Sequence, residues 1–265
     1  MLESISRREE GALGSEVSVL DTCATTQFEA RQRARSGAPH GALVIARRQE
    51  QGHGRRGRAW FSEPGGLYFS LVLRPTGLEP RLLPRLTLLA GAGLLDGLLE
   101  LEVDALIKWP NDLLIPAASA GPLGAFRKVG GVILEPLLSG DVVEAAILGV
   151  GVNVRPPRGG FPEELTDIAG TLADAGVSAA PEEVLHVLLD GMEPWLEHPE
   201  DDAHFERCLE HLRERSASVG RPVRVDANGQ SVTGLAEGFD SDGALLVRKD
   251  DGDLERVLIG DVWPA

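Results

Sequence analysis

Apolar and polar positions along the chain follow two periods, and the changes of period mark its elements. Val17 to Leu20, Ala42 to Ala46 and Leu67 to Leu73 are short β-rich runs bounded by polar or Gly-containing segments, so each predicts a strand. Between the first two, Thr26 to Ser36 is rich in Arg, Gln and Glu and is stopped by Gly37, which predicts a helix. Arg85 to Leu101 is apolar on nearly every side and carries the small residues Gly91, Ala92 and Gly93, the pattern of a helix packed closely on a sheet. Leu106 to Trp109, Val129 to Glu135 and Val142 to Val154 return to β-rich runs divided by Pro, Gly and Ser, and Pro181 to Leu196 and Asp202 to Arg215 predict two further helices. The sum is an α/β (α+β) chain with a central mostly antiparallel or mixed sheet and flanking helices.

After Ser218 the pattern shifts to short β-rich runs, Val223 to Val225, Val232 to Ala236, Ala244 to Val247 and Arg256 to Ile259, divided by Asn228-Gly229 and Asp242-Gly243. Hairpin dipeptides at that spacing predict a small all-β barrel. The chain therefore divides into a polar, frayed tail over 1–15, a main domain over 16–217 and a β module over 218–265.

A net charge of −15 over 265 residues argues against a general nucleic-acid or anionic-membrane binder, because such proteins need a basic face. No signal-peptide stretch and no uninterrupted run of about 18 apolar residues is present, which leads to the expectation of a soluble cytoplasmic protein. Cys23 and Cys208 are too few and too far apart for a disulfide framework or metal knuckle. Lysine is rare: Lys108, Lys128 and Lys249 are the three in a set of 26 basic residues, and the first two lie in segments with chemical character. A compact ammonium there, where arginine serves elsewhere, points to a small anionic or carbonyl ligand.

Four segments carry that character. Gln49 to Trp60 contains Gly52, His53, Gly54, Arg55, Arg56, Gly57 and Arg58, glycines that let backbone N–H groups turn toward a ligand and arginines suited to phosphate or carboxylate. Pattern alone is served equally by a solvated basic loop. In Lys108-Trp109-Pro110-Asn111-Asp112 the proline ends any strand and delivers Asn111 and Asp112 at a turn, where Asp112 could hold a phosphate-bound Mg²⁺. Lys128-Val129-Gly130-Gly131 sets a cation at the mouth of a strand whose glycines permit close ligand approach, and Gly149-Val150-Gly151-Val152-Asn153 is a core strand with one amide. No Gly-X-Gly here opens a helix in a βαβ unit, and no Gly-x-x-x-x-Gly-Lys-Ser/Thr loop occurs.

In this order the four segments resemble those of the biotin protein ligases. Gly52 to Arg58 matches the family's Gly-Arg-Gly-Arg-x-Gly-Arg loop, Lys108 to Asp112 its Lys-Trp-Pro-Asn-Asp, Lys128 to Leu134 its Lys-x-Gly-Gly-Ile-Leu, and Gly149 to Asn153 its Gly-x-Gly-x-Asn. Thr25-Thr26-Gln27 echoes an early Ser-Thr-Asn motif, with Asp21-Thr22-Cys23 as a competing match. The resemblance implies a class II synthetase-like catalytic domain with a C-terminal SH3-like barrel. It also implies a two-step reaction: biotin and ATP give biotinyl-5′-AMP and pyrophosphate, and a lysine of the biotin carboxyl carrier protein of acetyl-CoA carboxylase then takes the biotinyl group. By the same resemblance Lys128 and Arg55 are catalytic. Thr25, Thr26, Gln27, Gln49, Gly52, His53, Gly54, Arg55, Lys128, Gly131 and Leu134 would surround biotin. Arg55, Arg56, Arg58, Trp60, Asn111, Asp112 and Asn153 would hold the nucleotide, with Mg²⁺ entering alongside ATP at Asp112. The monofunctional group, without an N-terminal DNA-binding domain, is the nearest likeness, and pairing into homodimers is a family habit.

Two rivals share part of this pattern. A lipoate or octanoate ligase or transferase has the same fold and an active-site lysine, and a phospholigand-binding module would use the arginine loop and barrel without Lys128 or ATP. One departure from the family motif is testable: His53 stands where the loop carries its first arginine. An imidazole titrates near about pH 6.5 when unperturbed and is cationic only below that. Adenylate retention should therefore weaken from about pH 6 to 8 more than in a His53→Arg variant; equal adenylate dissociation rates across that range refute this.

Overall fold

The computed structural model describes residues 8–227 and 229–265. Seven strands form one mixed sheet in the order β1-β2-β3-β7-β6-β5-β4, with β1 (Val17–Cys23), β2 (Leu43–Gln49), β3 (Leu67–Leu73), β4 (Leu106–Lys108), β5 (Asp112–Gly121), β6 (Gly124–Ser139) and β7 (Val142–Val152). Only β1 and β2 run parallel; the other pairings are antiparallel. The β1–β2 pair needs a crossover, supplied by α1 (Thr26–Arg35), whose N-terminus is capped by the Thr25 hydroxyl accepting from the Phe28 N–H at 2.9 Å.

Strand alternation sends the two faces of β7 to different partners. Ala146, Leu148, Val150 and Val152 join the main core with α2 (Leu83–Glu100), whereas Ala145 and Ile147 join the smaller cluster under α1. The helical stretch Pro80–Glu100, which contains α2, is long and apolar enough to cross a membrane by composition, yet 78% of its 18-residue apolar window is buried, and α2 packs against the sheet and α3 (Pro181–Leu196). Close approach of α2 and α3 requires glycine: a Cβ added at Gly93 would lie 2.4 Å from Met192 Cα, and one at Gly191 would lie 2.4 Å from the Gly93 carbonyl oxygen. Behind them α4 (Asp202–Glu214) packs on α2.

The C-terminal part is a five-stranded antiparallel sheet of the SH3-like kind, ordered β11-β10-β9-β8-β12, from β8 (Pro222–Ala227), β9 (Gln230–Phe239), β10 (Leu245–Arg248), β11 (Leu254–Val257) and β12 (Asp261–Pro264). Its Val225, Ala236 and Leu245 belong to the same continuous apolar core as α2 and α4, so the two sheets are packed as one body. The Trp109 indole N–H donates across the junction to the Gly243 carbonyl at 2.9 Å. Burial raises the thiol pKa of Cys23 to about 11 and that of Cys208 further still, with nearby carboxylates adding to the effect, so both remain neutral thiols.

Several expectations change. The frayed tail over 1–15 does not hold at Leu13 and Gly14: Leu13 is 2% exposed, its N–H donates to Glu193, and the Gly14 N–H donates to the Gly41 carbonyl. Residues 1–7, and Asn228 of the expected Asn228-Gly229 hairpin, lie outside the described residues. The strands β5 and β12 were not predicted, because Pro116-Ala117-Ala118-Ser119 and Gly260-Asp261 lack a β-branched run and take their extended form from their neighbours. Leu258 and Ile259, expected to end a strand, are exposed. The glycine contact between helices yields a direct test: Gly93→Ala should lower stability by about 1–3 kcal/mol through overpacking, read as a fall in the thermal midpoint, whereas an unchanged midpoint would show that α2 and α3 can part without cost.

Candidate active site

The two lysines singled out by their rarity meet at one carboxylate. The strand β4 ends at Lys108, the chain turns through Trp109-Pro110-Asn111, and β5 opens at Asp112, which stands opposite Lys108 in one register and opposite Gly131 in the other. This places Asp112 Oδ1 2.6 Å from Lys128 Nζ and Oδ2 2.9 Å from Lys108 Nζ. Burial pushes the Asp112 carboxyl pKa up, but the charges and hydrogen bonds of Lys128 and Lys108 outweigh it and hold the group well below the usual carboxylate range. Lys128 Nζ also sits 5.0 Å from the centre of the Trp60 ring, and Lys108 Nζ lies 5.5 Å from that of Trp263 while donating to the Val262 carbonyl at 3.3 Å. A Mg²⁺ held by Asp112 does not fit this arrangement. Each carboxylate oxygen already carries an ammonium, and among the described residues no three His, Cys, Asp or Glu side chains gather as a ligand set.

Beside this centre, 52–60 folds back as a tight hairpin. The Gly54 N–H donates to Arg58 and the Trp60 N–H to Gly52, both at 2.8 Å, and the tip runs through Arg56 at φ 57. Gly52 is required by close packing, since a Cβ there would lie 2.3 Å from the Ser62 hydroxyl. The Arg55 guanidinium donates to Asn111 Oδ1 at 3.0 Å and to the Gly260 carbonyl at 3.4 Å. Burial lowers its pKa, against the opposing pull of Asp261 and Asp112. Arg56 reaches Asp261 at 3.1 Å, and Arg58 pairs with the same carboxylate. At the other side of the hairpin, His53 Nε2 is 3.2 Å from Glu135, which also pairs with Arg31 at 3.0 Å.

The loop and the lysine pair face a cavity of about 550 Å³ over the α1 side of β6 and β7. Thr26 and Gln27 enter it from the first turn of α1, and the Gln49 amide oxygen accepts from the Thr26 N–H at 2.8 Å while its NH₂ donates to Ser62 at 3.0 Å. Asp21 and Thr22 are exposed on β1, so Thr25-Thr26-Gln27 is the register that meets the cavity. Gly149 and Gly151 let side chains lie close on the strand floor: a Cβ at Gly149 would lie 2.8 Å from Gln27 Cδ, and one at Gly151 2.7 Å from the Trp60 ring. Two buried polar atoms of lining residues, Gln27 Oε1 and Trp60 Nε1, have no hydrogen-bond partner among the described residues. Asn111 and Asn153 spend their amide N–H groups on the carbonyls of Val132 and Gly170, which fixes the cavity's walls. Arg55, Arg58, Lys108 and Lys128 face two lining carboxylates, so the cavity is locally cationic within a chain of net charge −15.

Of the residues expected at the site, Thr25, Thr26, Gln27, Gln49, His53, Gly54, Arg55, Arg58, Trp60, Asn111, Asp112, Lys128, Gly131 and Asn153 line this cavity. Gly52, Arg56 and Leu134 do not. Leu134 packs on the main core, because alternation along β6 turns it away from the face that carries Gly131 and Ile133; Ile133 lines the cavity in its place. Sequence reasoning missed Asp261 and Trp263 from the C-terminal sheet and Phe61, Phe161 and Ile168 at the cavity's apolar end. Phe61 and Phe161 meet edge to face with centroids 6.2 Å apart, a pairing across about a hundred residues that no local pattern announces.

Residues 22–153 match the model of the biotin/lipoate A/B protein ligase family, and residues 219–263 match the biotin protein ligase C terminal domain. The bifunctional ligase/repressor BirA of Bacillus subtilis is 31% identical over 255 residues, spanning 94% of this chain and 74% of that protein. This chain belongs to the biotin protein ligase family. The biotin–[acetyl-CoA-carboxylase] ligase of Paracoccus denitrificans is 32% identical over 84% of this chain and 90% of its own. The biotin protein ligase of Aquifex aeolicus, solved in complex with biotin and ATP, superposes with a TM-score of 0.77 at 29% identity, covering 93% of this chain and 97% of the other. As a ligase of this family the protein has its family motifs converging on the cavity rather than scattered over the surface.

Asp112 is the site's counter-charge, and its removal should be visible in stability. Asp112→Asn should cost roughly 2–4 kcal/mol at pH 7, between the values for surface and fully buried pairs. Because the folded-state carboxyl pKa is depressed, its contribution is complete above the unfolded value near about pH 4 and is lost as pH falls below it. Chemical denaturation should thus show a wild-type advantage that is constant from neutral pH down to about pH 5 and shrinks below about pH 4; an advantage that shrinks instead toward alkaline pH would exclude this account.

Proposed function

We propose that the protein biotinylates a lysine of a biotin carboxyl carrier protein through biotinyl-5′-AMP. Supporting this reading is the position of Lys128: its ammonium, pinned by Asp112, lines the same cavity as Arg55 and Arg58 of the arginine loop. In the first step a carboxylate oxygen of biotin attacks the α-phosphorus of ATP and pyrophosphate leaves. In the second the carrier's amine attacks the acyl carbon, AMP leaves with the bonding electrons, and the amine gives up a proton. Lys128 offsets charge on the carboxylate and then on the acyl and phosphate oxygens, the electrostatic stabilisation that preorganised donors provide. Arg55, Arg56 and Arg58 bind phosphate, and Trp60, Phe61 and Phe161 face the base. Mg²⁺ is assigned to the triphosphate itself. Enclosure by the loop keeps water from the acyl phosphate.

Biotin is favoured over lipoate by Gln27 Oε1, a buried acceptor without a partner among the described residues, which a ureido N–H can satisfy and a dithiolane cannot. Buried polar atoms left unpaired discriminate strongly against a ligand lacking the matching group. We assign 16–217 to catalysis and 218–265 to the SH3-like part, in the cytoplasm where ATP and the carrier meet. The outer edge of β1, at one end of the main sheet, is assigned to pairing with a second copy.

Incubation with ATP, Mg²⁺, an apo carrier domain and either biotin or lipoate, followed by mass spectrometry of the carrier, tests the reading. A biotin-sized gain should appear, with Lys128→Ala slowing it on the order of 10²–10³-fold. A gain with lipoate alone would move the protein to the lipoate-ligase branch of the family, and no gain with either acid would overturn a carrier-modifying role.

A further inference from the structure

The arginine loop is held by a carboxylate that no motif identified. Asp261 opens β12, is held in place by pairing of that strand with β8, and has a side chain only 12% exposed at the cavity wall. Arg56 and Arg58 both pair with it, and Arg55 donates to the carbonyl of the preceding Gly260. The tip they define carries Arg56 at φ 57, a left-handed conformation that a residue with a Cβ keeps only where its surroundings hold it. The loop's arginines are thus partly committed to an anion of the protein itself.

We infer that Asp261 is an internal stand-in for phosphate: it latches the arginine loop in the nucleotide-free enzyme and must yield those arginines to the incoming triphosphate, thereby setting how tightly ATP binds. The same guanidinium groups cannot fully neutralise both Asp261 and phosphate oxygens, so whatever the latch contributes to the resting state is subtracted from nucleotide affinity. In exchange the loop is ordered before ATP arrives. Asp261 is a positioning residue, since it acts through Arg56 and Arg58 rather than on the reacting atoms. The nucleotide part of this inference rests on the ligase reading above; the latch does not.

Hydrogen exchange of the 52–60 amides in the free protein reads the latch without any substrate. Asp261→Asn should raise exchange there about fivefold, the scale of a partly exposed ion pair, and Asp261→Glu should restore slow exchange. The Arg56→Gln, Arg58→Gln double variant breaks the same contact from the loop side and should show equal loosening, which covers the case in which the Asp261 variant folds poorly. In biotinylation assays Asp261→Asn should lower the KM for ATP about fivefold with kcat unchanged or reduced, and this gain should vanish in the double-arginine background. Unchanged exchange in Asp261→Asn, a raised KM for ATP, or a gain that persists without the arginines would each overturn the latch. If no carrier is biotinylated at all, the exchange measurement still decides the latch separately from the ligase reading.

Discussion

A carboxylate buried between two ammonium groups organises this molecule. Asp112 can remain ionised in a poorly hydrated position only because the ammonium groups of Lys128 and Lys108 flank it at 2.6 and 2.9 Å. Geometry follows from electrostatics. The turn at Trp109-Pro110-Asn111 sets Lys108 against Asp112, and the β5–β6 register brings Gly131 and the Lys128 end of β6 to the same spot. Lys108 then reaches on to the Val262 carbonyl, so the charge centre also ties the main sheet to the last strand of the C-terminal sheet.

That tie explains how a strongly acidic chain maintains a cation-rich cavity. Excess negative charge is spread over the exterior, while the cavity collects arginine and lysine around a floor of glycine and apolar side chains. Low polarity makes each fixed charge act over a longer effective range than it would in water. The loop of 52–60 lies between two anchors of opposite origin, Glu135 on β6 through His53 and Asp261 on β12 through the arginines. A segment so placed can cover a reactive intermediate without belonging to either sheet.

Much of this was legible in the chain itself. The strands at 17–20, 42–46 and 67–73 and the helices at 26–36, 85–101, 181–196 and 202–215 all fall within observed elements or within two residues of their ends, because each carries its own period and its own stop signal. The lysines were legible through scarcity, and the loop through its glycines and arginines. The strands β5 and β12 were not, since their extended form is imposed by pairing and their sequences carry no strand period. The tail at 8–15 read as polar and loose, yet Leu13 is an apolar plug whose burial depends on α3 and the strand-entry turn.

By itself, then, the sequence determined the elements, the position of the arginine loop, and the identity of the two lysines that matter, all of which rest on local period, turn chemistry and residue type. Only the tertiary structure decided that both lysines share Asp112, that Ile133 rather than Leu134 faces the cavity, and that Asp261 and Trp263 complete it from the far end of the chain. The reason is physical. Counter-ions, cavity walls and unsatisfied buried atoms are defined by distances of a few ångströms between residues far apart in sequence, and no local periodicity encodes a distance of that kind.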